Sequence, residues 1–236
     1  MCVIKAEGLM KKYGKKQALN EFSAEFGRGV YGLAGPNGAG KTTLMRILAG
    51  LLKPDGGRVL FSGTDIKKLG RDYFRHISYM PQDFGFYPFF TAMETMQYFS
   101  ILKDVRSGKE ELSDILSSVN LSDVTDKKVH TFSGGMKRRL GIAVSLIGKP
   151  DFLIFDEPTA GLDPEERIRF KKLIKESMAG RTVLISTHIL SDIGALCDKI
   201  CLLDGGRLIN TVDISSEESS FTGELEKKYM EMMGQG

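Results

Sequence analysis

The segment Gly35-Pro36-Asn37-Gly38-Ala39-Gly40-Lys41-Thr42 constrains this chain more than any other. It fits the spacing G-x-x-x-x-G-K-[ST], and its flanks are those the pattern requires. Val30 to Ala34 reads as a short apolar strand leading into it. Beyond it, Leu44, Ile47, Leu48 and Leu51 recur at helical spacing, so Thr43 to Leu52 reads as a helix. Gly35, Gly38 and Gly40 admit backbone angles that a β-carbon would block, so successive N–H groups can turn inward as an anion nest. The helix points its positive end at the same place. Lys41 supplies a mobile cation for outer phosphates. Thr42 offers a hydroxyl to Mg²⁺, which normally binds together with nucleotide phosphates.

Composition sets the outer bounds. A length of 236 residues suits one large α/β domain or two small ones. With 42% hydrophobic and 27% charged residues, the chain is excluded from disorder, collagen-like repeats and disulfide scaffolds. Gly numbers 27, above the usual ~7%, which fits turns and close backbone approach to a ligand. A net charge of +3 is too even to argue for nucleic acid as a partner, and none is expected. No stretch reaches the ~18–20 apolar residues of a membrane span. Lys5 and Glu7 interrupt any apolar leader. Cys2, Cys197 and Cys201 cannot all pair and lack zinc-site spacing, which fits a reducing cytosol and a packing role for Cys197 and Cys201.

Along the chain, residues 1 to 7 and 17 to 26 read as strands, as does Arg58 to Ser62 after the turn at Lys53-Pro54-Asp55-Gly56-Gly57. Residues 92 to 146 are mainly helical in pattern, broken near Ser107-Gly108 and from Asn120 to Ser133. Asp151 to Phe155 is the kind of continuous apolar strand that a parallel sheet buries. A helix from Pro164 to Met178 precedes a strand from Thr182 to Ser186 and a helix from about Ile189 to Leu196. Ile200 to Leu203 and Arg207 to Thr211 flank Asp204-Gly205-Gly206 as a hairpin. No function is assigned to the tail beyond Asp213. Alternating strands and helices predict an α/β core with a parallel sheet, whose ligands sit at the carboxyl ends of strands.

Two further sites fall at such ends. In Phe152-Leu153-Ile154-Phe155-Asp156-Glu157-Pro158, two carboxylates close a buried strand, a costly placement without a cation or donors nearby. Asp156 is expected to hold Mg²⁺, and Glu157 to polarise an attacking water as general base. His188 closes another apolar strand, where it can donate to the outer phosphate and orient that water.

In these residues the chain resembles the ATP-binding subunit of an ATP-binding-cassette (ABC) transporter, from Lys5 to about Val212. Gly35 to Thr43, including Pro36, Asn37, Ala39 and Thr43, resembles the family's Walker A loop. Gln82 resembles the glutamine that contacts Mg²⁺ and reports to the membrane partner. Phe132-Ser133-Gly134-Gly135-Met136 is similar to the signature motif, and Asp156-Glu157 to Walker B with the catalytic glutamate. Ala160 to Asp163 matches the D-loop, His188 the switch histidine, and Tyr13 the aromatic that stacks on adenine. The resemblance implies a single domain over residues 1–212. It would comprise an N-terminal antiparallel β subdomain, a phosphate-loop core with a parallel sheet, and a helical subdomain inserted at about 84–146. One departure stands out. The signature is usually LSGGQ; Ser133, Gly134 and Gly135 keep the phosphate contacts, but Met136 cannot hydrogen-bond as glutamine does.

The resemblance implies ATP and Mg²⁺ as cofactors, with Glu157, His188 and Lys41 as the catalytic set. Two such subunits, identical or closely related, would meet head to tail, each adding Ser133, Gly134 and Gly135 to the nucleotide of the other. A separate integral membrane subunit would carry the cargo, which places this chain peripherally on the cytoplasmic face of the membrane. The signature followed by Lys137-Arg138-Arg139 is similar to drug- and polysaccharide-export systems, so export is the expected direction. The alternative is a soluble ATPase of the same family acting in translation or DNA maintenance; the chain carries a single cassette and no long coiled-coil insertion or strong basic patch. Ten of the 21 aromatic residues lie between Tyr73 and Phe99. In the resembled family this region grips a helix of the membrane subunit, and Phe84, Phe86, Tyr87, Phe89 and Phe90 are the expected socket.

Overall fold

The computed structural model describes residues 3–177, 180–187 and 196–214. The expected helix from Ile189, His188 and the tail from 215 onward lie outside the described residues. The chain runs through β1 (Ile4–Tyr13), β2 (Lys16–Phe26), β3 (Gly29–Ala34), α1 (Lys41–Leu48), β4 (Gly56–Phe61), β5 (Thr64–Asp65), α2 (Ile66–Leu69), α3 (Tyr73–His76) and β6 (Ile77–Met80). Three longer helices follow: α4 (Ala92–Leu102), α5 (Lys109–Ser118) and α6 (Gly134–Leu146). Then come β7 (Phe152–Asp156), α7 (Pro164–Ser177), β8 (Thr182–Ser186), β9 (Lys199–Asp204) and β10 (Arg207–Asp213).

The strands form two sheets. One is antiparallel, in the order β2-β1-β4-β5. The other has the order β10-β9-β3-β8-β7-β6; every pair from β9 to β6 is parallel and β10 is an antiparallel edge. The α/β class, the N-terminal antiparallel sheet and the parallel core therefore stand as expected. One core strand goes beyond the sequence reading. Ile77-Ser78-Tyr79-Met80 is too short and too mixed to declare itself, yet it pairs with β7 along its whole length.

Strand periodicity divides the interior in two. On β7, Phe152 and Ile154 pack with α1 and the antiparallel sheet, whereas Leu153 and Phe155 face the core shared with α4, α5 and α6. Strands β8 and β9 split the same way: Leu184, Cys201 and Leu203 join the first group, and Val183, Ile185, Ile200 and Leu202 the second. A strand covered on both faces must be apolar at every position, which is why Phe152 to Phe155 shows no alternation. Both Cys197 and Cys201 are buried free thiols, as their packing role requires.

The helices between β6 and β7 are closed by specific local chemistry. Thr91 Oγ accepts from the Glu94 N–H at 3.1 Å, and Glu94 Oε2 accepts from the Thr91 N–H at 2.7 Å, a reciprocal cap that starts α4. At the other end of α4, Lys103 Nζ donates to the Val144 carbonyl at 2.8 Å and reaches the Ile147 carbonyl and Ser78 Oγ at 3.4 Å. One ammonium thus joins α4, the C-terminus of α6 and β6, where the helix dipole favours a cation. Burial pulls the Lys103 pKa down from 10.5 to about 8. Between those values the unfolded chain binds the proton more tightly than the folded one, so this group's contribution to stability rises as pH climbs. Denaturant titrations of the wild type and Lys103→Met should therefore diverge in favour of the wild type from pH 8 to about 10.5. Parallel pH profiles would remove Lys103 from this role.

Candidate nucleotide-binding site

The carboxyl ends of β3, β6, β7 and β8 open onto one edge of the sheet, and the predicted site residues follow from them. After β3 the chain turns through the glycine loop into α1. Gly40 has φ 107° and sits where a β-carbon would collide with the Ala18 carbonyl oxygen of β2. Gly35 lies against the Leu203 carbonyl of β9 just as closely. The loop is thus wedged between the two sheets, and only glycine fits at those two points. The Ala39 N–H donates to the Pro36 carbonyl at 3.1 Å, and the Ala39 carbonyl accepts from the Gly206 N–H at 3.0 Å. Lys41 Nζ donates to the loop's own Gly35 and Pro36 carbonyls at 2.6 and 3.2 Å. Burial pulls the Lys41 pKa below the usual lysine range, while Glu157 and Asp156 act to raise it.

Asp156 and Glu157 are both buried at the end of β7. Register places Ser186, the last residue of β8, directly beside Asp156. Ser186 Oγ donates to Asp156 Oδ1 at 2.6 Å and accepts from the Glu157 N–H at 2.8 Å. One hydroxyl therefore fixes both acidic residues. The second Asp156 oxygen accepts from the Tyr79 hydroxyl at 3.3 Å. Burial, then the negative charge of Asp156, raises the Tyr79 pKa, so the phenol keeps its proton and stays a donor. Glu157 has φ 49°, a left-handed backbone that turns the chain sharply after the strand.

These groups surround a cavity of about 610 Å³ lined by Tyr13, Lys16, Ala18, Asn37, Gly38, Gly40, Lys41, Thr42, Thr43, Gln82, Asp156 and Glu157. That volume suits a nucleotide-sized ligand. Tyr13 stands half-exposed at the rim, with Lys11 Nζ 5.9 Å from its ring centre. Of the remaining loop residues, Gly35 and Pro36 turn their carbonyls to Lys41, and Ala39 is buried behind the loop.

Ser133, Gly134 and Gly135 do not line this cavity. They begin α6, where Ser133 Oγ accepts from the Met136 N–H at 3.1 Å and caps the helix. Ser133 and Gly134 are exposed. Four residues here were not read from the sequence. Lys16 and Ala18 reach the cavity through the β1–β2 hairpin, a closeness only strand pairing reveals. Tyr79 lay in the unread strand. Ser186 carries a usable signal as a hydroxyl that ends an apolar strand, two positions before His188.

Fold and site together define an ATP-binding-cassette ATPase. A family model described as ABC transporter matches residues 19–160, and the chain belongs to that family. Among its relatives is the linearmycin resistance ATP-binding protein LnrL of Bacillus subtilis, 36% identical over 211 residues that span 88% of this chain and 68% of LnrL. The Nod factor export ATP-binding protein I of Ralstonia nicotianae is also 36% identical, over 88% of this chain and 66% of its own length. Among solved structures, the dimeric bacterial ABC transporter cassette MJ0796 matches with a TM-score of 0.79 and 25% identity, over 89% of this chain and 98% of its own. The chain is thus a nucleotide-binding, ATP-hydrolysing subunit of ABC-transporter type. Nothing among these likenesses supports the alternative in translation or DNA maintenance. No helix among the described residues is long and apolar enough to cross a membrane.

Replacing Ser186 by Ala leaves a buried amide and a buried carboxylate oxygen each short of this partner. Ser186→Ala should cost about 1–3 kcal/mol, read as a drop of roughly 2–4 °C per kcal/mol in the thermal midpoint. A midpoint unchanged within about 1 °C would mean that the hydroxyl does not hold the pair together.

Proposed function

We propose that this chain binds ATP with Mg²⁺ in the cavity above β3 and hydrolyses it in partnership with a second ATP-binding subunit, to energise export through a membrane subunit. The observation that carries the reading is the division of the site. The cavity gathers Lys41, Thr42, Gln82, Asp156 and Glu157, while Ser133 and Gly134 stand exposed at the start of α6 and outside it. A second copy or close relative placed head to tail brings its own Ser133, Gly134 and Gly135 to the outer phosphate.

The donors suit the chemistry. The Thr42 hydroxyl, the Gln82 amide oxygen and the Asp156 carboxylate are oxygen ligands on one cavity, which fits Mg²⁺. Bound there, the metal would neutralise charge on the transferring phosphoryl group. Lys41 is positioned to release its loop carbonyls and turn to the β- and γ-phosphates. Tyr13 offers its ring to the adenine. Glu157, held at its N–H by Ser186, takes the proton of the attacking water, and His188 orients that water. Met136 gives its N–H to Ser133 Oγ and cannot add the side-chain contact that glutamine would make.

Glu157→Gln keeps the shape and removes the base. MgATP should drive this variant into a stable dimer by size-exclusion chromatography, with phosphate release down about a hundredfold or more. Wild-type turnover in the variant would refute the base assignment.

Export as the direction is supported by the likeness to the Nod factor export protein and by Lys137-Arg138-Arg139 after the signature. Docking to the membrane subunit, at the cytoplasmic face, is assigned to the aromatic region. There the side chains divide. Phe84 and Phe86 pack on the core of α4–α6, whereas Tyr87 and Phe89 are 54% and 73% exposed. Phe86, Tyr87, Tyr98, Phe99 and Leu102 line a groove of about 370 Å³. The exposed pair suits contact, and the packed pair suits support. Tyr87→Ser with Phe89→Ser should leave ATP affinity within about twofold but release the chain from membranes holding its partner. Undiminished membrane association would place the docking surface elsewhere.

A further inference from the structure

Arg138 on α6 makes three contacts to two other segments of the chain. Its Nη1 donates to the Gln82 carbonyl at 3.2 Å and its Nη2 to the Ala160 carbonyl at 3.3 Å. Its guanidinium carbon lies 5.1 Å from the centre of the Phe84 ring. The side chain is only partly exposed; its bond to Ala160 is part-buried, whereas its bond to Gln82 lies at the surface. Phe84 in turn lies over Gly141, one turn further along α6, where a β-carbon would meet Met80 Sδ at 2.8 Å and the Phe84 ring at 3.0 Å. From Phe84 the contacts pass on to Phe86, at 5.4 Å between ring centres, and from Phe86 to Phe99 at 6.0 Å.

We infer that Arg138 is a positioning residue that makes the Gln82 segment, the Ala160 segment and the head of α6 move as one body, so that nucleotide contacts at Gln82 set the placement of Ser133, Gly134 and Gly135. The geometry of guanidinium is what permits this. Its planar fork donates to two carbonyls at once while its face rests on an aromatic ring. Both acceptors are backbone carbonyls, so the link fixes chain position rather than side-chain rotamer. Arg138 itself lies outside the lining of the nucleotide cavity. A packing residue alone would affect stability; this link also predicts that pairing with the second subunit depends on Arg138 while nucleotide capture by the single subunit does not.

The inference rests on the head-to-tail reading, and the test separates the two. In the Glu157→Gln background, dimer formation is followed against MgATP concentration by light scattering, and capture by the monomer by a fluorescent ADP analogue. Arg138→Met, which keeps the length and the apolar contact, should raise the half-maximal MgATP concentration for dimer formation about tenfold or more and leave ADP-analogue affinity within about twofold. Arg138→Lys should show nearly the same defect, because one ammonium keeps the charge but cannot bridge both carbonyls. Gly141→Ala, whose β-carbon presses on both Met80 and Phe84, should move the same quantity in the same direction by a smaller factor. If the parent dimerises and either Arg138 variant matches it, the inference falls and the head-to-tail reading stands. If the parent itself never dimerises, both fall.

Discussion

Hydrogen-bonded register across the parallel sheet is the constraint on which the site depends. Leu33, the last residue but one of β3, lies beside Ser186 of β8, and Ser186 lies beside Asp156 of β7. One row of the sheet therefore lines up the entrance to the glycine loop, the bridging hydroxyl and the acidic pair. A slip of one residue between β7 and β8 would send Asp156 and Ser186 to opposite faces. It would also strand a carboxylate among apolar side chains. The full burial of Phe152, Leu153, Ile154 and Phe155 makes such a slip expensive. Core packing and catalytic geometry are therefore the same requirement here.

The two-sided core also joins the glycine loop to distant parts of the chain through shared strands. The α1 side carries the glycine loop; the opposite side carries α4, α5 and α6 with the aromatic region. Strand β7 belongs to both. Interiors packed this densely shift as units rather than deform continuously. Polar links such as Lys103 from α4 to α6, and Arg138 from α6 to the Gln82 and Ala160 carbonyls, join segments that the sheet alone does not connect. Each draws donors from one cation and acceptors from backbone carbonyls, so each fixes the chain path itself.

Legibility in the sequence followed the range of the interactions. The glycine loop, the apolar strand of β7 and the breaks between α4, α5 and α6 are local, and their residues announce them. Strand β8 was equally plain, because Val183, Leu184 and Ile185 need no partner to be read as buried. Strand β6 was not, because four residues including Ser78 become a strand only when β7 is beside them. The same holds for Lys16, Ala18 and Arg138. Nothing in Lys137-Arg138-Arg139 distinguishes the middle arginine until the Gln82 and Ala160 carbonyls are brought to it by tertiary packing. Phe84 and Tyr87 were alike as members of an aromatic run; the fold buries one face of that run against Gly141 and α4 and leaves the other outside.

The proposed sharing of the phosphate shell between two subunits has a consequence for energetics. Groups that contact the outer phosphate only in the paired state contribute differential affinity, and only differential affinity shifts a conformational equilibrium. In the proposed head-to-tail pair, Lys41 and the glycine loop would bind nucleotide in both states and so set capture, not pairing. Ser133 at the head of α6 would contact it in the paired state alone, so its contribution would fall entirely on pairing. On that proposal, loss of the outer phosphate would remove this contribution while leaving the loop contacts in place, and so separate the subunits without first releasing the diphosphate. The proposed division of the site between two chains is thus what would convert the chemistry of one bond into motion, since a site completed within one chain would hydrolyse ATP without doing so.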